Sequence, residues 1–255
     1  MCVPYDSRPP VSPISGAAVA TRDLTLTSKD GAKSAAFFAG GGQRGSAAVI
    51  VMPDVRGLFP FYEELAVRFA ERSFDAVAID YFGRTAGVAK RGADFPFRDH
   101  VPLTKADQIT ADVAAAVAYL RQGPGDAGRP AFTVGFCFGG SNSWLQAAGG
   151  HNLAGAIGFY GHPTRPGRDG SPPVKDRVKD FKCPVLGLMG GADEGIPAAE
   201  VAKYEAALKQ VGVKHEIHTY PGAPHSFFDR RYEEFARESA DAWDRVLRFI
   251  SQNAR

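Results

Sequence analysis

One cysteine stands where its sulfur could do chemistry. Gly135-Phe136-Cys137-Phe138-Gly139-Gly140-Ser141-Asn142 reads G-x-C-x-G-G, between a short apolar run and a helix-like stretch. The pattern is a nucleophile elbow with cysteine in the place of serine. Such a nucleophile sits in a strained turn, and glycines on either side lack the Cβ atoms that would collide as strand and helix close together. The turn also sets Cys137 at a helix N-terminus, where unpaired N–H groups and the positive dipole end favour a thiolate. The bland alternative is a glycine-rich turn holding a small buried cysteine.

Two further segments weigh against that alternative. Gly190-Gly191-Ala192-Asp193-Glu194 follows an apolar run and offers Asp193 as the acid that orients and electrostatically supports an imidazole. Pro221-Gly222-Ala223-Pro224-His225-Ser226-Phe227 follows another and offers His225 as the base. Cysteine, acid and histidine thus come in the chain order of the α/β-hydrolase arrangement, each after a separate strand. Pro53-Asp54-Val55-Arg56-Gly57 ends an earlier apolar run and faces the elbow. The backbone N–H groups of Val55 and Phe138 would form an oxyanion hole there. Asp54 either contacts the thiol or caps the turn.

Tyr160 ends a strand and His162 follows it, so both are candidates to touch a substrate, because ligands of open α/β sheets bind beyond the carboxyl ends of the strands. His215 and His218 are three apart on a strand, so they point to opposite faces and do not share a metal. His100 and His151 read as surface residues. Cys2 falls in a tail and Cys183, before Pro184, reads as a buried small residue. With three cysteines and no CxxC spacing, neither a disulfide framework nor a zinc site is expected.

These residues need a sheet with one shared edge. Leu24 and Leu26 alternate with polar residues, Lys29-Asp30-Gly31 makes a turn, and the chain returns through Ala35 to Phe38, an antiparallel hairpin. Short apolar runs then predict strands over Ala47–Met52, Ala76–Asp80, Phe132–Phe136, Gly155–Tyr160, Val185–Met189 and Glu216–Tyr220. Helices are expected over Phe61–Arg72, Lys105–Arg121, Asn142–Ala148, Ala198–Val211 and Tyr232–Ser251. Ile109, Val113, Val117 and Leu120 in one, and Trp243, Val246, Leu247 and Ile250 in another, repeat at helical spacing. The fold class is α/β: a mostly parallel sheet flanked by helices and opened by the hairpin. Residues 1–15 form a proline-rich extended arm, and 16–255 a single domain. The segments 40–46 and 163–173 are rich in loop-forming residues, and the second is placed to border a site.

The 255 residues are 44% hydrophobic and 23% charged with net charge +2, the composition of an ordinary soluble globular protein. Scattered basic residues give no stripe for nucleic acid. No apolar run is long enough for a bilayer and no leader pattern opens the chain, so a cytoplasmic location is expected by default.

The motifs around Cys137, Asp193 and His225 together resemble the dienelactone hydrolase (carboxymethylenebutenolidase) family, from about Leu24 to Ile250. The resemblance implies opening of cyclic enol-lactones from aromatic degradation by a Cys137–His225–Asp193 triad, with no metal or organic cofactor. It implies that Asp54 takes the place of a family glutamate that interacts with the thiol. It also implies arginines that grip a substrate carboxylate: Arg230 is one match, and Arg84, Arg91 and Arg98 are candidates for a second. The expected partner is a small lactone or ester, bound by a monomer or small homo-oligomer. The same three residues would equally serve a general small-acyl esterase or thioesterase. A non-catalytic protein using Cys137 as a redox-sensitive group is the alternative of another class.

Overall fold

The computed structural model describes residues 5–41, 46–122 and 126–254. Cys2 and residues 42–45 of the first glycine-rich segment lie outside them. In chain order the elements are β1 (Val19–Thr27), β2 (Lys33–Gly41), β3 (Ala47–Met52), α1 (Pro60–Ala70), β4 (Phe74–Ile79), α2 (Gly83–Ala86), α3 (Phe97–His100), α4 (Ala106–Leu120), β5 (Ala131–Phe136), α5 (Phe138–Leu145), β6 (Gly155–Phe159), α6 (Val174–Arg177), β7 (Val185–Gly190), α7 (Ala198–Gln210), β8 (His215–Tyr220) and α8 (Ala236–Asn253).

Eight strands form one sheet in the order β1-β2-β4-β3-β5-β6-β7-β8. β3 to β8 run parallel, while β1 pairs antiparallel with β2 and β2 with β4. The strands from β3 to β7 are buried along their whole length, as expected of parallel strands covered on both faces. From β3 the chain first builds outward to β4, then returns to lay β5 on the other side. Strand order therefore reverses between β3 and β5, and the crevice beyond their carboxyl ends is where such a sheet receives a ligand. Both predicted oxyanion donors follow these two strands.

The proline-rich arm lies on the domain. Pro9 and Val11 are buried, the Tyr5 hydroxyl donates to the Arg91 carbonyl at 3.2 Å, and the Ile14 N–H donates to Glu71 at 3.2 Å. Two helices start away from their expected positions. α5 begins at Phe138, directly after the elbow, because Gly139 and Gly140 are helical despite their low propensity. α8 begins at Ala236 rather than Tyr232, since residues 226–235 are taken up by turns, with the Arg231 N–H bonded to the Ser226 carbonyl.

Beneath the carboxyl edge, aromatic rings form a floor. Phe136 stacks on Phe159 at 4.6 Å and on Phe228 at 5.7 Å, and Tyr160 meets Phe227 edge-on at 5.6 Å. Each such pair adds roughly 0.5–1.5 kcal/mol beyond its buried area. The loops above the floor are thereby held on a stiff base.

Candidate active site

Cys137 stands at the turn between β5 and α5 with φ 55° and ψ −112°, a conformation that costs a non-glycine residue about 1–3 kcal/mol. Its N–H donates to the Phe159 carbonyl at 3.0 Å, and its carbonyl accepts the N–H groups of Gly140 at 3.0 Å and Ser141 at 3.3 Å. The surrounding glycines are sterically required. A Cβ on Gly135 would lie 1.9 Å from the Gly139 carbonyl oxygen, and one on Gly140 would lie 2.5 Å from that of Phe159. Close backbone approach thus fixes the half-buried thiol at the mouth of a cavity of about 850 Å³.

His225, in the loop after β8, donates from Nδ1 to Asp193 Oδ2 at 2.6 Å. The second Asp193 oxygen accepts the Gly195 N–H at 2.9 Å, so the carboxylate is held from behind. Burial disfavours the imidazolium, but the hydrogen bonds to Asp193 and Cys137 and the negative charge of both outweigh it and raise His225 to about 10. Burial also works against the Asp193 carboxylate, yet its bonds to His225 and to the Gly195 and Ile196 backbone hold the carboxyl below its usual range. Ring and carboxylate are bonded at one sheet edge, and Cys137 is near enough to the ring to raise its pKa.

The charged His225 has a consequence for stability. A group whose pKa rises on folding contributes fully below its ordinary value of 6.5, and that contribution is lost as pH climbs through about 10. Asp193, depressed by the same contact, contributes above its ordinary 3.8 and loses the contribution as pH falls through its lowered value. The denaturation midpoint of the natural chain should exceed that of His225→Gln near neutrality, with the gap closing above about pH 10. A gap independent of pH would contradict the charged pair.

Val55 and Phe138 both line the cavity, and neither N–H has a hydrogen-bond partner among the described residues. The loop that carries Val55 is pinned from several sides. The Tyr81 hydroxyl donates to the Pro53 carbonyl at 2.9 Å, the Asp54 N–H donates to the Tyr62 hydroxyl at 3.0 Å, and the Leu58 N–H donates to Asp80 at 3.1 Å.

Of the remaining candidates, some reach the cavity and some do not. Tyr160, His162 and Arg230 line it. The Tyr160 hydroxyl is engaged, donating to Asp229 Oδ2 at 2.8 Å, while its ring lies 4.9 Å from that of His225. His162 Nδ1 accepts the Arg165 N–H at 3.1 Å. The expectation for Arg84 is corrected: it pairs with Asp112 at 2.6 Å and Asp30 at 2.9 Å and does not line the cavity. Arg98 is also outside, exposed beside the Phe97 ring. Arg91 is buried against Asp80 at 2.7 Å. Asp54 does not line the cavity either. Its carboxylate accepts the Arg56 N–H at 2.8 Å and pairs with the Arg56 guanidinium at 3.3 Å, which is the turn-capping alternative.

The histidines set aside as surface residues are half-buried. His151 bonds to Gln146 at 2.9 Å and burial lowers it to about 4, while His100 stacks on Phe95 at 5.0 Å. Cys183 is buried, which pushes its thiol up to about 12. His215 bonds to the Val213 carbonyl at 2.6 Å and His218 lies 3.9 Å from Asp241, so the two serve different surroundings.

Sequence reasoning missed Asp229. Its carboxyl is raised by burial and then by the charge of Asp54, and it accepts bonds from the Tyr160 hydroxyl and the Arg230 N–H. It also missed how the 163–173 loop enters the cavity wall through Arg165 and Arg168. Among the described residues no helix is long and apolar enough to cross a membrane.

The model of the dienelactone hydrolase family matches residues 35–254. A protein of Escherichia coli O157:H7, provisionally named a carboxymethylenebutenolidase, is 34% identical over 209 residues, 80% of this chain and 76% of its own. One from Bradyrhizobium sp, provisionally named a 2-oxo-3-(5-oxofuran-2-ylidene)propanoate lactonase, is 29% identical over 208 residues, 80% and 82% of the two chains. Among solved structures, a provisionally named dienelactone hydrolase from Klebsiella pneumoniae subsp. pneumoniae MGH 78578 superposes with TM-score 0.82 and 27% identity, covering 92% of this chain and 99% of its own.

Proposed function

Because this chain belongs to the dienelactone hydrolase family of carboxylic ester hydrolases, we propose that it opens an enol-lactone of the carboxymethylenebutenolide kind through Cys137, His225 and Asp193. The observation that carries the proposal is the strained Cys137 turn facing the cavity, with His225 bonded to Asp193 at 2.6 Å behind it.

The Cys137 thiolate, paired with the His225 imidazolium, adds to the lactone carbonyl carbon. The carbonyl oxygen becomes an oxyanion that accepts the N–H groups of Val55 and Phe138. Collapse reforms the carbonyl and breaks the ring C–O bond, leaving a thioester and a released enolate. The enolate takes a proton, either directly from water or from the His225 imidazolium, whose neutral ring then takes one from water; the hydroxide so formed adds to the thioester, and the C–S bond breaks to return the thiolate and an open-chain acid. Asp193 keeps the ring oriented and supports its charge throughout.

Arg230 is the proposed grip on a substrate carboxylate. Arg230→Ala should raise KM roughly tenfold or more for a carboxylate-bearing lactone and much less for a neutral ester, the scale of one charge-assisted hydrogen bond. Equal effects on both substrates would count against it. The lactone named for the Bradyrhizobium relative carries both a furanone ring and a carboxylate, which suits this pairing of groups.

The cavity of about 850 Å³ leaves room for the second reading, a general small-acyl esterase or thioesterase. A purely redox-sensing protein would have no use for an acid and base aligned behind its thiol. A reducing compartment such as the cytoplasm suits thiol chemistry, and a role in aromatic degradation follows from the proposed substrate. Assay of a carboxymethylene-butenolide beside a panel of 4-nitrophenyl esters and acyl thioesters separates the readings. Turnover favouring the butenolide supports the lactonase; turnover of the esters alone supports the second reading; none at all rejects both.

A further inference from the structure

The cavity holds positive charge that the proposed chemistry does not use. Arg165 and Arg168, in the loop after β6, and Lys105, just before α4, line it together with Cys137. All three are exposed, and none has a side-chain hydrogen bond or ion pair among the described residues. Four arginines away from this wall, Arg68, Arg84, Arg91 and Arg245, each pair with a carboxylate within 2.7 Å, whereas Arg121 is held by backbone carbonyls.

Of the acids in this wall, Asp169 and Asp193 are engaged, while Glu194 is exposed and has no hydrogen bond or ion pair among the described residues. Asp169 Oδ2 accepts the Ala106 N–H at 2.8 Å and Oδ1 the Ser171 N–H at 3.1 Å, and Asp193 is held by His225. The loop is also ordered by its own bonds: Gly167 N–H to the Ser171 carbonyl at 2.9 Å, Gly170 N–H to the Gly167 carbonyl at 3.0 Å, and Lys175 N–H to the Pro163 carbonyl at 2.9 Å. Like charges fixed on a preformed loop repel one another until an anion joins them. Ile109, Leu145, Val174 and Ile196 line the same cavity and would pack an apolar chain.

We propose that Arg165, Arg168 and Lys105 form an anion subsite for the far end of an extended substrate. That substrate is an ester or lactone whose acyl chain ends in a carboxylate or phosphate several bonds from the scissile carbonyl. The proposal rests on the hydrolase reading above and assigns these cations a role separate from that of Arg230.

The test compares the full-length natural chain, the double variant Arg165→Ala/Arg168→Ala, and Cys137→Ala. Substrates are mono-4-nitrophenyl suberate, with a free carboxylate tail, and its methyl-capped neutral counterpart. The natural chain should prefer the acid-tailed ester, and the ratio of the two kcat/KM values should fall about tenfold or more in the double variant, mainly through KM. A ratio unchanged by the double substitution overturns the subsite.

A second readout needs no turnover: protection of Cys137 from iodoacetamide by suberate or hexyl phosphate. Protection that weakens in the double variant supports the subsite, and the stronger protector identifies the anion as carboxylate or phosphate. Protection equal in both proteins, or absent from both, overturns it. Hydrolysis that survives in Cys137→Ala would instead sink the nucleophile assignment, an outcome read independently of the protection result.

Discussion

Cys137→Ala should lower kcat/KM for lactone and ester substrates by at least about 10³-fold, because the sulfur is the only protein atom asked to bond to the substrate carbon. Removing a nucleophile costs this much or more, and the residual rate comes from oriented binding and oxyanion donors that remain in place. Val55 and Phe138 are held by β3, β5 and their loop contacts rather than by the thiol, so those donors should survive the substitution. Cys137→Gly sharpens the interpretation. At φ 55° the natural residue is strained, whereas glycine adopts that region freely, so the variant should be as inactive yet more stable by about 1 kcal/mol. Comparing denaturation midpoints with rates checks both halves. Loss of activity accompanied by loss of stability would mean that Cys137 is a packing residue.

Gly139→Ala is expected to have the largest effect on folding, a loss of about 3 kcal/mol, which is a large fraction of the roughly 5–15 kcal/mol that holds a protein folded. The added Cβ would stand 2.2 Å from the Met52 carbonyl oxygen and 2.3 Å from that of Pro53. Both obstacles are main chain, and Met52 ends β3, which is buried along its length and bonded to β4 and β5. Neither side can yield without opening the sheet or displacing α5. Displacing α5 would also carry the Phe138 N–H away from that of Val55, so any folded fraction should be nearly inactive. Gly92→Ala is the control: nothing lies within 4 Å of its Cβ, and a change within about 0.5 kcal/mol is expected. Urea titration of the two variants measures the difference directly. Equal stabilities would contradict the close approach at the elbow.

The strands and elbow were legible in sequence because parallel strands are continuous apolar runs and because close strand–helix packing demands glycine at fixed offsets. Asp193 and His225 were singled out by the same rule, each following the end of a strand on one edge, and the structure brings the two within 2.6 Å. What failed depended on where side chains go after leaving the backbone. Arg84 and Arg98 were candidates through the family resemblance alone, but Asp112 on α4 and Asp30 in the hairpin turn claim Arg84, a pairing between segments that no local pattern reports. Asp54 was left between two roles, and the bond it accepts from the Arg56 N–H is the one expected of a turn cap. Asp229 stands next to Arg230 and Arg231 and reads as surface charge; the turns over residues 226–235 bury it under Tyr160. Those turns also delay α8. The glycines that marked the elbow concealed the start of α5, since low helix propensity made Asn142 look like the first helical residue.

The most direct measurement is to mix the protein with 4-nitrophenyl acetate, quench in acid within the first turnover, and locate the acetyl group by mass spectrometry of peptides. The expected result is an acetyl group on Cys137 that forms and decays at rates consistent with turnover and is missing from Cys137→Ala. Steady turnover with no acylated Cys137 at any time, or with the acetyl group on Ser141, which also lines the cavity, would contradict a thioester mechanism at this elbow.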